Sequence, residues 1–420
     1  MGLEDSTSVT TTENRQLVPG WRALGLTLAI VMAGGAGVNG FGTVAAAIVF
    51  ASVIYALVRL RSRAPGAATT GDLVASTLGR GAGSAVTVAQ TAAYAALAAV
   101  GASAFGLAVL FAYVDDAAGF DTWRWPAYGV AALAVTATTA YVLPARVTAA
   151  IAAILAGVAT LTLFYLALAL IAKALTDPAI AFNPIPDAGP WTVLTVASAL
   201  AYAAQGLIGV ELITTQSDRV ASIAKPMVGA TVVAVVVAVV CWFAVRVADP
   251  DVARINGVWV ATIATDVFGD AAWYATAVIT ISLSLAGLLA VMLGIVRLTG
   301  TMEARRVPEV QLVGVLAVTA LLTVGACREW LHVDSTLPWV AALLLLLVYA
   351  VVIEAHARLD DSQVGWWLRI VMPLVFVAMI VLPMITARSI GFMIAPLLAT
   401  IVIALVAAGV GVLKERQPTG

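Results

Sequence analysis

A chain of 420 residues that is 62% hydrophobic and 11% charged, with a mean hydropathy of +1.04, is not a soluble globule, because the apolar content of those sits near half. The net charge of −1 supplies no basic surface for nucleic acid. The two cysteines, Cys241 and Cys327, lie apart in apolar stretches without a disulfide or metal spacing and read as packing residues. What remains is a polytopic membrane protein.

Residues 1–20 are polar and lack the charged start and apolar core of a signal peptide, so they are expected to form a short cytoplasmic tail. Met1-Gly2 opens the chain as a myristoylation site does, but many spanning segments leave a lipid anchor nothing to add. Beyond the tail, apolar runs near the roughly 20 residues that cross a bilayer fall at about 22–39, 42–60, 84–113, 126–143, 146–174, 191–216, 226–247, 271–298, 310–328, 336–357, 366–386 and 389–413. With an inner N-terminus, this count leaves six basic residues outside: Arg124, Lys173, Arg246, Arg254, Arg328 and Arg388. The other sixteen of the 22 lie inside, as the positive-inside rule requires. A missed or added span would exchange the sides of everything after it.

Run six breaks the pattern. It is apolar to Gln205, then meets Gly206-Leu-Ile-Gly209 and the carboxylate of Glu211 where hydrocarbon is expected. Each glycine weakens a helix by about 1 kcal/mol, and an acid near the bilayer centre costs about 3 kcal/mol on insertion scales. Such a segment is tolerated where freed amides and carbonyls face protein or a water-filled cavity, as in transporter substrate sites. The bland alternative is close packing of a neighbouring helix on the glycines.

Run one carries Gly34-Gly-Ala-Gly37, either a second interruption or a turn into run two, which starts almost at once. Tyr94 in run three is the aromatic candidate for a substrate contact; a lone tyrosine in an apolar run also reads as packing. Ser282 and Ser284 lie in run eight, and membrane serines usually bond their own carbonyls. Arg297 closes run eight, as a gate tie or a positive-inside anchor. Glu354 and His356, at the inner end of run ten, are expected to be snorkelling or solvated.

Gly206-Leu-Ile-Gly-Val-Glu211, with the following polar stretch Ser217-Asp-Arg-Val-Ala-Ser-Ile-Ala-Lys-Pro226, resembles the sixth helix of the amino acid, polyamine and organocation (APC) transporter superfamily. Gly35-Ala-Gly37 is similar to its G-x-G in helix 1, and Arg63-Ala-Pro with Leu78-Gly79 to its segment ahead of helix 3. Arg297 and Pro308 keep the register of its helix 8 motif, whose serine and tyrosine are lost. Many proton-coupled relatives carry a lysine on helix 5, and Ala149–Val158 has none.

The resemblance implies an all-α fold of about twelve transmembrane helices, with a 5+5 inverted-repeat, LeuT-like core and two peripheral helices. Repeats would cover residues 21–174 and 175–358, peripheral helices 359–413, and a cytoplasmic tail 414–420. Glycine interruptions at corresponding places in the two halves are the pointer such folds give. Helix 6 enters from outside, so its first half ends in free carbonyls and its second begins with free amides. A broken run one presents the opposite pairing, and such a pocket suits a zwitterion. The expected substrate site is Gly35, Ala36, Gly37, Tyr94, Gln205, Gly206, Ile208 and Gly209, with Glu211 and Arg297 in gating or coupling.

Lacking an aromatic box for a bulky cation, the site is expected to take a small or medium neutral amino acid. By resemblance the chain is nearest the superfamily's neutral amino acid permeases and exporters, in a bacterial inner membrane with both termini inside. No cofactor, metal, nucleic-acid partner or enzymatic activity is expected; coupling ion, direction and oligomeric state stay open. The alternatives are a sensor or assembly partner that retains the fold without transport, or a polyamine or organic-cation transporter.

Overall fold

The computed structural model describes residues 18–33, 40–113, 123–176, 206–248, 260–301, 308–329, 333–359 and 391–416, with a few between 368 and 377. All regular structure among the described residues is helical. In chain order it comprises α1 (Gly20–Ala33), α2 (Gly40–Arg63), α3 (Thr70–Leu78), α4 (Arg80–Tyr113), α5 (Arg124–Val142) and α6 (Ala145–Thr176). A 3-10 segment (Val210–Arg219) follows, then α7 (Ala224–Ala248), α8 (Val260–Phe268), α9 (Asp270–Thr301), α10 (Pro308–Cys327), α11 (Val333–Ala357) and α12 (Gly391–Arg416). Eight of these helices are long and apolar enough to cross a membrane, so the chain is a multi-pass membrane protein. Their limits follow the apolar runs to within a few residues, except runs six and eleven, most of which lies outside the described residues.

Side-chain contacts orient the bundle. One end, called here the basic end, gathers the start of α1, where Arg22 Nη1 donates to Arg146 O at 3.2 Å and Val18 N–H to Arg219 O at 2.7 Å. It also holds the last turns of α2 and α11, through Tyr55 edge-on to His356 at 5.3 Å, and the end of α9 at Arg297. From that end α1, α4, α6 and α7 rise while α2, α9 and α11 return. α12 comes down beside α4, and a methyl added to Gly411 would sit 2.6 Å from Gly81 O.

α4 and α9 form the centre, packing on each other and on most of their neighbours. α1 lies against α6, α7, α9 and the 3-10 segment. Its contact with α6 is very close, since a Cβ on Gly25 would stand 2.1 Å from Ala153 Cβ. Small residues permit such approach, and dispersion then holds helices together where lipid removes the hydrophobic drive.

Two short helices and one histidine depart from the sequence expectations. The polar loop after run two contains α3, started by a capping box: Asp72 N–H donates to Thr69 Oγ1 at 3.2 Å and Thr69 N–H to Asp72 Oδ2 at 3.0 Å. The Thr-x-x-Asp pattern at 69–72 carries that signal in the sequence. α8 lies between α7 and α9, packed on both. His356, expected to be solvated, is buried against Tyr55, whereas its neighbour Glu354 pairs with Arg358 and Arg369 at 3.0 and 2.7 Å.

Candidate functional site

The interruption of run six is visible from Gly206 onward. Gly209 has φ +97°, a left-handed conformation that costs an L side chain about 1–2 kcal/mol and glycine nothing. The chain then winds as a 3-10 helix from Val210 to Arg219, with Leu212 N–H on Gly209 O at 2.8 Å. A kink at Gln216 divides this run, and the part before it is still longer than the three or four residues usual for 3-10 geometry. Two threonines help to hold it: Thr214 Oγ1 donates to Glu211 O at 2.6 Å and Thr215 Oγ1 to Leu212 O at 2.8 Å, each reaching back three residues. At Gln216 the backbone leaves helical geometry (φ −118°, ψ 19°).

This segment is polar and buried together. Glu211, Thr214, Thr215, Gln216 and Ser217 are all at most 1% exposed. A carboxylate so placed needs donors, and two tyrosines supply them. Tyr94 of α4 donates to Glu211 Oε1 at 2.9 Å, and Tyr349 of α11 donates to Oε2. Gln90, one turn before Tyr94, donates to Tyr94 Oη at 2.9 Å and to Thr70 Oγ1 at 3.3 Å. Gly209 N–H donates to Tyr349 Oη at 3.2 Å.

Counting hydrogens fixes the direction of the Thr70–Thr214 link. Thr214 gives its single proton to Glu211 O, so at the 2.5 Å contact between Thr70 and Thr214 hydroxyls the donor is Thr70. Three chains therefore converge on Glu211: Gln90 through Tyr94, Gly209 through Tyr349, and Gln90 through Thr70 and Thr214. The first two bring one tyrosine hydroxyl to each carboxyl oxygen. They also tie the turn at Gly209 to both α4 and α11.

α1 packs against this turn. A Cβ on Gly209 would lie 2.6 Å from Ile30 Cδ1, and one on Gly287 of α9 would lie 2.6 Å from Ala33 Cβ. Fourteen helical residues rise about 21 Å, short of the roughly 30 Å of hydrocarbon. The described part of α1 thus reaches from the basic end to the depth of Gly209.

Of the residues singled out in the sequence, Tyr94, Gly206, Ile208, Gly209 and Glu211 come together, with the hydroxyl of Tyr94 turned to Glu211. Gly35, Ala36, Gly37 and Gln205 lie outside the described residues. Arg297 stands nearer the basic end, where its Nη2 meets Asp218 Oδ2 at 2.5 Å. Ser282 and Ser284 are buried on α9. Sequence reasoning missed Gln90, Thr70 and Tyr349. Tyr349 sits in the unbroken apolar run Leu343–Val352, and only its meeting with Glu211, 138 positions away, marks it.

No family model and no curated protein matches this chain. Among solved structures it is similar to the crystal structure of MhsT in complex with L-phenylalanine, with a TM-score of 0.57 and 13% identity over 86% of this chain and 98% of that one. At that identity the likeness speaks for the fold alone. The chain is an all-helical membrane protein with the LeuT-type fold, the 5+5 inverted-repeat architecture.

Proposed function

We propose that the protein is a secondary transporter that carries a small or medium neutral amino acid by alternating access, and that it belongs among the neutral amino acid permeases and exporters of the APC superfamily. The observation that carries this reading is the interrupted sixth run, with Glu211 fully buried beside the left-handed turn at Gly209. A break of this kind costs stability in a plain anchor and has a use where half-helix ends meet a substrate. Ile30 of α1 packs against the same turn. MhsT, of the same fold, was crystallised with an amino acid.

In this reading the substrate zwitterion lies between Gly35–Gly37 and Gln205–Gly209, Glu211 positions the break, and Arg297 with Asp218 ties the inner side. The basic end is cytoplasmic by the positive-inside rule. A second reading, a fold-retaining sensor that binds without flux, is favoured by the short interval of 34–39 between α1 and α2. Counterflow of labelled neutral amino acids in proteoliposomes tests the proposal and separates the two: exchange supports transport, and binding without exchange supports the sensor.

A further inference from the structure

The transport reading assigns Arg297 to a gate and leaves the connection between α2 and α3, residues 64–69, without a task. Arg61, in the last turn of α2, folds over this connection. Its Nη1, with two hydrogens to give, lies within reach of the carbonyls of Ala64 at 3.2 Å, Ala67 at 3.0 Å and Pro65, and its Nη2 donates to Ser217 O at 2.7 Å. Ser217 Oγ in turn donates to Ala67 O at 2.5 Å. One guanidinium thus holds the loop in shape and fastens it to the 3-10 segment. Its planar fork can serve several acceptors at once, which a lysine ammonium at the same place cannot match in geometry.

The next contact along the loop is Thr70 on Thr214 at 2.5 Å. Thr70 also accepts from Gln90, which donates to Tyr94 and so reaches the Glu211 carboxylate. Within the same region two buried amides are only partly used. Gln90 Oε1 and both amide atoms of Gln216 have no protein partner, with Gln90 0% and Gln216 1% exposed. Buried polar atoms left unmatched favour any arrangement that lets water reach them. α3 itself is seated firmly on α4, since a methyl on Gly71 would lie 2.1 Å from Thr87 Oγ1.

We infer that the α2–α3 connection closes the path at the basic end, that Arg61 is its latch, and that Thr70 and Gln90 couple this closure to Glu211. Resting on the transport reading, the inference describes the state with the basic end shut. Opening separates Thr70 from Thr214, frees Ser217 from Arg61 and wets Gln216.

Two experiments on the full-length protein test it. In Thr70→Cys/Thr214→Cys, oxidation with copper phenanthroline bridges the pair, and amino acid counterflow falls at least about tenfold, returning on reduction, because closure is then held covalently. Undiminished counterflow in the bridged protein overturns the inference. In Gln216→Cys, an impermeant thiol reagent applied from the basic side labels about tenfold faster when Arg61→Ala is added, as expected for losing a charged hydrogen bond from the closed state. Arg61→Lys gives an intermediate rate and serves where Arg61→Ala does not fold. Equal labelling rates in Gln216→Cys with and without the Arg61 substitution overturn the latch. The labelling needs no flux, so a protein that exchanges no amino acid refutes the transport reading while the latch is still judged.

Discussion

Glu211 is where the stability and the proposed function of this protein meet. Its two oxygens take hydroxyl protons from helices that lie far apart in sequence, and each hydroxyl is itself an acceptor, from Gln90 or from Gly209. Hydrogen bonds inside membrane proteins average about 0.6 kcal/mol by mutant cycles, but deleting one partner also strands the other, at about 1–3 kcal/mol. Tyr349→Phe strands the Gly209 amide and one carboxylate oxygen, and is expected to cost about 2 kcal/mol by that reckoning. It should lower the apparent melting temperature in detergent and slow counterflow, and an unchanged value of both would show that Tyr349 only fills space. Glu211→Ala leaves two tyrosine hydroxyls unmatched and is expected to reduce counterflow by at least about tenfold, or 1.4 kcal/mol. Glu211→Gln still offers one acceptor oxygen and should retain measurable exchange; if alanine and glutamine variants exchange equally well, the carboxyl has no positioning role.

At the scale of the element, the informative unit is the 3-10 segment with the turn before it. Its break was legible in the sequence from Gly206, Gly209 and Glu211, because residues unfavourable in hydrocarbon stand out in an apolar run. What stabilises the break was not, since Tyr349 and Gln90 are ordinary residues until the fold brings them together. The apolar limits of the long helices were legible for the same reason, and α3 was legible only through its capping box. Gly209→Ala meets two obstacles at once, about 1–2 kcal/mol of left-handed strain and a steric contact with Ile30 at 2.6 Å. Trimming the neighbour, as in Gly209→Ala/Ile30→Ala, relieves the contact and keeps the strain, so the double variant should recover part of the lost stability and no more. Full recovery would mean that the positive φ carries no cost.

At the scale of the molecule, α1 packs on α6, α7 and α9, and the 3-10 segment packs on α1, α7 and α9. The close approach at Gly25 and Ala153 makes the α1–α6 contact sensitive to volume. Gly25→Leu would drive the helices apart, with overpacking of this kind costing about 1–3 kcal/mol; lower yield of folded protein from membranes would register it. The overall architecture was readable because apolar runs define spans, and the likeness to a LeuT-type structure agrees with that reading of the fold. Substrate identity is not written at this scale, because the proposal assigns it to single residues at 35–37 and 205–209.

The most direct measurement is counterflow in proteoliposomes preloaded with an unlabelled neutral amino acid, followed with the labelled one, for the wild type and Gly209→Ala side by side. Transient accumulation of label by the wild type, strongly reduced in the variant, is the result predicted. Folded wild-type protein that exchanges none of a broad panel of neutral amino acids would contradict the account.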